Sequence, residues 1–245
     1  MRAADDPVKT IKLIALSVGA AFAALSAHAQ AFQNLNFESA NLPPATPEQG
    51  PNYVSIGSAL PDWTGYIGTV QQTQVEYNFT TLGTASVGLL GPDWGQAQSE
   101  TGYGILDGSY TAILQTGLYT SEYGVNASIA QNGTIPGNAQ SLQFEAADET
   151  SALSVSFAGN NLTMSAWSTG LFPSGLSYTV YAVDIGPYAG QTGQLEFTEV
   201  FDGYYPSVEL DDIRFSTTPV PEPGIVALTA MGGLLFGARK WFARR

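Results

Sequence analysis

Carboxylates, aromatic rings and side-chain amides are the groups in this 245-residue sequence that could do chemistry. There is no cysteine, and the one histidine, His28, stands near the N-terminus. Between residues 30 and 218 there is no Lys or His. Ser-His-Asp and Cys-His catalysis, zinc sites of the His/Cys type and Schiff-base chemistry are therefore excluded from that stretch. No disulfide braces it either. What remains is oxygen chemistry: binding a hard cation, or hydrolysing a glycoside with two carboxylates about 5 to 10 Å apart.

Two groupings carry that chemistry. Asp211 and Asp212 are adjacent where Val208 and Leu210 share one parity and Ile213 and Phe215 the other. The apolar face thus changes sides across the two acids, which predicts a β-bulge aiming both carboxylates at one place. With Glu38 they would offer oxygen ligands to a Ca²⁺ ion. The competing reading is of strand-end carboxylates that accept from nearby backbone N–H groups or pair with Arg214. The second grouping is Trp94 and Asp93 with Tyr103, Tyr110, Tyr119 and Tyr123, in the Gly-rich stretch 91–124. Flat rings with polar tips beside carboxylates suit the apolar and hydroxyl faces of a sugar. The plainer alternative for these rings is core or turn packing. Trp63 and Trp167, next to strand-like alternation, are expected in the core.

Charge narrows the partners. Of 21 acidic residues only Asp5, Asp6 and Glu222 lie outside 30–218, and of 8 basic residues only Arg214 lies inside. One positive charge against eighteen negative ones leaves a net −17. That excludes the basic footprint of nucleic-acid binding and argues against attraction to anionic lipid. It favours cations, neutral glycans or simple solubility. Eighteen acids also make a chance carboxylate pair easy to find, so a glycosidase has no specific support and no enzyme is expected.

The elements that must position these groups read as strands. Leu142, Phe144 and Ala146 alternate with polar neighbours, as do Leu153, Val155 and Phe157, then Leu162, Met164 and Ala166. Tyr178, Val180 and Ala182 continue the pattern, followed by Leu195 and Phe197. A period of two is what half-buried antiparallel strands require. Turn signals stand at Asp107-Gly108, Asn132-Gly133, Asn160-Asn161 and Asp202-Gly203. One all-β domain, an antiparallel β-sandwich over residues 30–218, is the expectation.

Signals flank that domain. Lys9 and Lys12 precede an apolar run at 13–27, and Ala27-His28-Ala29 gives the small-x-small cleavage pattern, so residues 1–29 read as a secretory signal peptide. Residues 219–245 hold Val220, Pro221, Glu222, Pro223 and Gly224, an apolar run at 225–238, then Arg239, Lys240, Arg244 and Arg245. The run is shorter than the roughly 20 residues that span a bilayer comfortably, so a short transmembrane helix is expected. The basic cluster would stay on the cytoplasmic side. This order resembles the PEP-CTERM sorting signal of Gram-negative bacteria. The resemblance implies processing near the motif by an exosortase, then a place on the cell surface or in the extracellular matrix, in the context of exopolysaccharide and biofilm.

The domain resembles the galactose-binding-like jelly roll of bacterial carbohydrate-binding modules. The resemblance rests on Asn36-Phe37-Glu38, Leu60-Pro61-Asp62-Trp63, Val183-Asp184-Ile185 with Ala189-Gly190-Gln191, and Leu210-Asp211-Asp212-Ile213. It implies that the first and last strands lie together, with a structural Ca²⁺ near Glu38, Asp211 and Asp212. Residues 70–124 match no family pattern. Three functions are carried forward: a non-enzymatic surface or matrix protein associated with polysaccharide, a carbohydrate-binding module with a defined glycan site, and a two-carboxylate glycosidase.

Overall fold

The computed structural model describes residues 30–42, 52–92, 94, 103–120, 123–148, 150–171 and 177–220. The expected leader at 1–29, the sorting residues Pro221, Glu222, Pro223 and Gly224, the apolar run and the basic residues Arg239, Lys240, Arg244 and Arg245 lie outside them. Among the described residues no helix is long and apolar enough to cross a membrane.

The domain is an all-β sandwich. Its strands are β1 (Tyr53–Ser55), β2 (Thr64–Ile67), β3 (Val70–Gln72), β4 (Gln74–Tyr77), β5 (Ser86–Leu90), β6 (Thr111–Gln115), β7 (Gly117–Leu118) and β8 (Gly124–Val125). There follow β9 (Ala127–Thr134), β10 (Ser141–Asp148), β11 (Leu153–Phe157), β12 (Asn160–Leu162), β13 (Met164–Leu171), β14 (Ser177–Asp184), β15 (Thr192–Glu199) and β16 (Ser207–Ser216). Eight strands form one sheet in the order β1-β4-β5-β6-β16-β10-β14-β13. Six form the other, β12-β11-β15-β9-β2-β3, and β7 with β8 makes a separate small ribbon. All pairs are antiparallel except β4 with β5. A one-turn helix, α1 (Ile56–Ala59), links β1 to β2.

The sheets meet through the predicted apolar parities. Leu142, Phe144 and Ala146 of β10 face Val155, Phe157, Leu195 and Phe197 of the other sheet in one core. Phe144 meets Phe197 edge-on at 5.1 Å between ring centroids, and Trp63 lies 6.3 Å from Phe197. The opening segment closes one side of this core. Phe32 packs on Phe215 at 5.4 Å, and the Ile213 N–H donates to the Leu35 carbonyl at 3.0 Å, so the start of the domain lies along its last strand.

Four local expectations differ from the structure. Asn132-Gly133 is inside β9, paired with Gln194 and Gly193 of β15, and makes no turn; a Cβ at 133 would stand 2.7 Å from the Phe32 ring. Glycine is needed there for close approach, not for bending. The β11–β12 turn falls at Ala158 and Gly159, both at positive φ, and Asn160 and Asn161 belong to β12. In β14 the core face is Tyr181 and Val183, whereas Tyr178 packs against Leu106 and Ala147 on the other side of the sheet. Both faces of β14 are covered, and period alone does not say which apolar row points inward. Trp63 is in the core, its indole N–H donating to the Asn34 carbonyl at 2.9 Å, but Trp167 on the edge strand β13 is 39% exposed.

A carboxylate row beneath a strap

The core-facing Val208 and Leu210 of β16 leave Ser207, Glu209 and Asp211 pointing to the opposite face of the eight-stranded sheet. Pairing sets their neighbours. Asp211 lies opposite Glu145 of β10, and Glu209 lies between Ile113 of β6 and Ala147 of β10. An outward sheet face is normally polar and wet. Here it also carries Leu90, Ile113 and Ala147, and it is covered by a strap formed by residues 103–110 with Trp94. Trp94, Tyr103 and Ile105 pack on Leu90 and Ile113, while Leu106 packs on Ala147.

The acids hold the strap in place. Gly104 N–H donates to Glu209 Oε1 at 2.5 Å, and Asp107 N–H donates to Asp211 Oδ2 at 3.3 Å. Thr111 Oγ1 donates to the same Asp211 oxygen at 2.7 Å, and accepts from Leu106 N–H at 2.9 Å. From the opening segment, Glu38 Oε1 accepts from the N–H groups of Ser109 and Tyr110 at 2.7 and 2.9 Å. Ser207 donates to Asp148 Oδ2 at 2.7 Å, which leaves its oxygen to accept the Tyr103 hydroxyl at 2.8 Å. The strap has no regular secondary structure, so its N–H groups need such partners.

Burial sets the protonation of this row. Glu209 and Asp211 are fully buried. Burial pushes Glu209 up to about 8, opposed by its bond from Gly104 and reinforced by the Asp148 charge. Burial likewise pushes Asp211 up to about 8, opposed by the Thr111 and Asp107 donors. Burial raises Glu145 too, against a hydrogen bond from the Tyr178 hydroxyl. Glu76 of β4, on the same sheet, is raised by burial to about 7. A second oxygen of Glu209, Oε2, is buried without a hydrogen-bond partner, whereas both oxygens of Asp211 accept donors. Ionising Glu209 would therefore leave a charged oxygen under the strap with no donor, a cost that Asp211 is spared.

The fold brings Glu38 and Asp211 to the same strap, Glu38 contributing to the charge that raises Asp211. Asp212 does not join them. The register of β10 against β16 shifts between Gln143 and Glu145, and Asp212 takes a positive φ of 43°. The parity switch at 211–212 is therefore a bulge, but it separates the two carboxylates. Asp211 goes under the strap, while Asp212 pairs with Arg214, whose Nε–H also donates to Gln143 Oε1 at 3.2 Å. Ca²⁺ requires 6 to 8 oxygen ligands. Among the described residues no group of three or more acids is arranged to hold a metal ion, and the oxygens of Asp211 already accept N–H and O–H donors. Glu38, Asp211 and Asp212 as placed do not fit that ion.

The expected sugar platform is dispersed as well. Trp94 is 2% exposed, its indole N–H donating to the Tyr103 carbonyl at 3.4 Å, and Tyr103 points at Ser207. These two anchor the strap, and Trp94 offers no open ring face. Tyr119 is half-buried beyond β7, away from the strap's contacts, and Asp93 lies outside the described residues. Glu209, Glu145, Ser207 and Asp148 are the members that sequence reasoning missed. Their signal was available: Ser207, Glu209 and Asp211 share the parity opposite to Val208 and Leu210.

No family model matches the chain, and no curated protein matches it. Among solved structures, the enzymatically active domain of tailspike protein 4 from bacteriophage CBA120 is similar at 13% identity and a TM-score of 0.32. The similarity covers 66% of this chain and 21% of that one, so the chain spans about a fifth of its length.

Proposed function

We propose that this chain is an exported, non-enzymatic protein of the cell surface or extracellular matrix, associated with polysaccharide. The observation that carries the non-enzymatic reading is the use made of the clustered acids: Glu38, Glu209 and Asp211 hold the backbone of a strap. A glycosidase also needs a carboxyl raised toward neutral pH, but it must meet the substrate across an open cleft. Glu209 and Asp211 are fully covered. The reading of the sandwich as a galactose-binding-like jelly roll is supported by the opening segment lying along β16.

Export and surface placement rest on the order of residues at the two ends. The leader at 1–29 directs secretion. Val220, Pro221, Glu222, Pro223 and Gly224, with the apolar run and Arg239, Lys240, Arg244 and Arg245, form a PEP-CTERM-like signal for an exosortase. The membrane is engaged through that tail before processing, in a Gram-negative bacterium. Mass spectrometry of the mature protein should find a C-terminus near Pro223, and an intact Arg245 would instead mean a permanent membrane anchor. Deleting the chain should alter biofilm or surface texture, while the purified protein releases no reducing sugar. Sugar release abolished by Glu209→Gln would establish the glycosidase and end the non-enzymatic reading.

A further inference from the structure

Three loops meet at one end of the sandwich, far in sequence from one another. Residues 78–85 join β4 to β5, the β7–β8 ribbon projects beside them, and residues 200–206 join β15 to β16. Backbone hydrogen bonds tie them together. Leu118 N–H donates to the Gly83 carbonyl at 2.9 Å, Ala85 N–H to the Leu118 carbonyl at 3.0 Å, and Thr116 N–H to the Pro206 carbonyl at 2.9 Å. Phe201 N–H donates to Asn126 Oδ1 at 2.9 Å, and its ring lies where a side chain at Gly124 would be.

This tip gathers exposed rings. Tyr204 is 84% exposed, Tyr123 81% and Tyr205 44%, with Leu82 and Leu118 beside them. Phe201 supports Tyr205 at 5.6 Å between ring centroids. The display is fixed by local structure: Tyr204 N–H donates to Asp202 Oδ1 at 2.9 Å, and Tyr205 adopts a φ of 59°. A non-glycine residue is held in that left-handed region only where its surroundings insist on it, and such positions cluster at binding sites. Large exposed rings carried together on loops that are tied to one another are a candidate contact site.

We infer that this three-loop tip binds an uncharged polysaccharide, with pyranose faces laid on Tyr123, Tyr204 and Tyr205. Separate rings with hydroxyl tips, and the Asp202 carboxylate beside them, match the alternating C–H and O–H faces of a sugar. A net charge of −17 over residues 30–218 repels anionic polymers and disfavours a second copy of the chain. The choice of a glycan rests on the polysaccharide-associated reading above; the location of the site does not.

The test is affinity electrophoresis of the full-length protein in detergent, through gels containing dextran, galactomannan, hydroxyethyl cellulose or, as the charged comparator, alginate. At least one neutral gel should retard the protein saturably. Tyr123→Ala with Tyr204→Ala should weaken that retardation at least about tenfold. The pair should leave the melting temperature unchanged, because both rings lie outside the core. Trp167→Ala, on the edge strand β13, should bind like the parent. Undiminished retardation of the double variant would overturn the tip as the site while leaving matrix association standing. Preference for alginate, or a dimer in sedimentation that the double variant abolishes, would also overturn it. No retardation in any gel, with unchanged surface texture on deletion of the chain, would overturn the tip and the matrix reading together.

Discussion

Removing the Glu38 carboxylate would leave the N–H groups of Ser109 and Tyr110 without their common acceptor. Hydrogen bonds to a charged group are worth about 1.5 to 3 kcal/mol when shielded, and Glu38 is exposed, so Glu38→Ala should cost about 1 kcal/mol. The measurement is the urea midpoint, accompanied by faster amide exchange confined to 103–110. Gly108→Ala should loosen the same strap, since Gly108 sits at a φ of 60° and a Cβ there would overlap the Glu38 carboxylate. Uniform exchange across 103–110 and the sheet beneath it would show that these residues do not hold the strap.

Strands were the most legible part of the chain, because a period of two in β10, β11 and β15 leaves few alternatives. Less legible was what covers each face. In β14 the more apolar row, Tyr178, Val180 and Ala182, is the one that faces away from the core, and nothing in the sequence shows the strap that covers Tyr178 there. Trp94 has the composition of a sugar platform, but Leu90 and Ile113 beneath it needed cover, and that need is visible only once β5 and β6 are paired. The bulge at Asp211 and Asp212 was legible from the parity switch; the separation of the two carboxylates was not, since it depends on which partner each finds, Thr111 for Asp211 and Arg214 for Asp212. Asn132-Gly133 has the composition of a turn and the job of a clearance. Gly133→Ala should force the Phe32 ring away and cost about 1 to 3 kcal/mol in thermal or urea unfolding. A neutral effect would mean that Phe32 moves freely and does not seal the core.

At the scale of the molecule, two sheets share one aromatic core. Phe197, fully buried between Phe144 and Trp63, should cost about 3 to 5 kcal/mol when replaced by Ala, read as a lowered urea midpoint. Millimolar Ca²⁺ and its removal by chelator should leave the melting temperature alike, because Glu38, Asp211 and Asp212 do not converge; a rise with Ca²⁺ would mean that they do. The dominant electrostatic feature is instead the row of covered carboxyls, Glu76, Glu145, Glu209 and Asp211, all raised by burial. A carboxyl whose folded pKa lies above its unfolded value stabilises the fold fully below the unfolded pKa. That contribution is lost as pH rises through the folded value. The domain should therefore weaken between about pH 5 and pH 9, most steeply around pH 6, between the unfolded and folded values, and the loss should level off above about pH 8. Repulsion among the surface acids would act in the same direction, but salt screens it and does not screen the buried row.

The most direct measurement is thermal unfolding of the full chain from pH 5 to pH 9 in 0.5 M salt, beside Glu209→Gln. We expect the melting temperature to fall as pH rises. The variant should match or lie just below the parent at pH 5 and melt several degrees higher at pH 9, because it cannot ionise under the strap. A melting temperature that rises with pH, or a variant displaced equally at every pH, would contradict the covered carboxylate row on which this account depends.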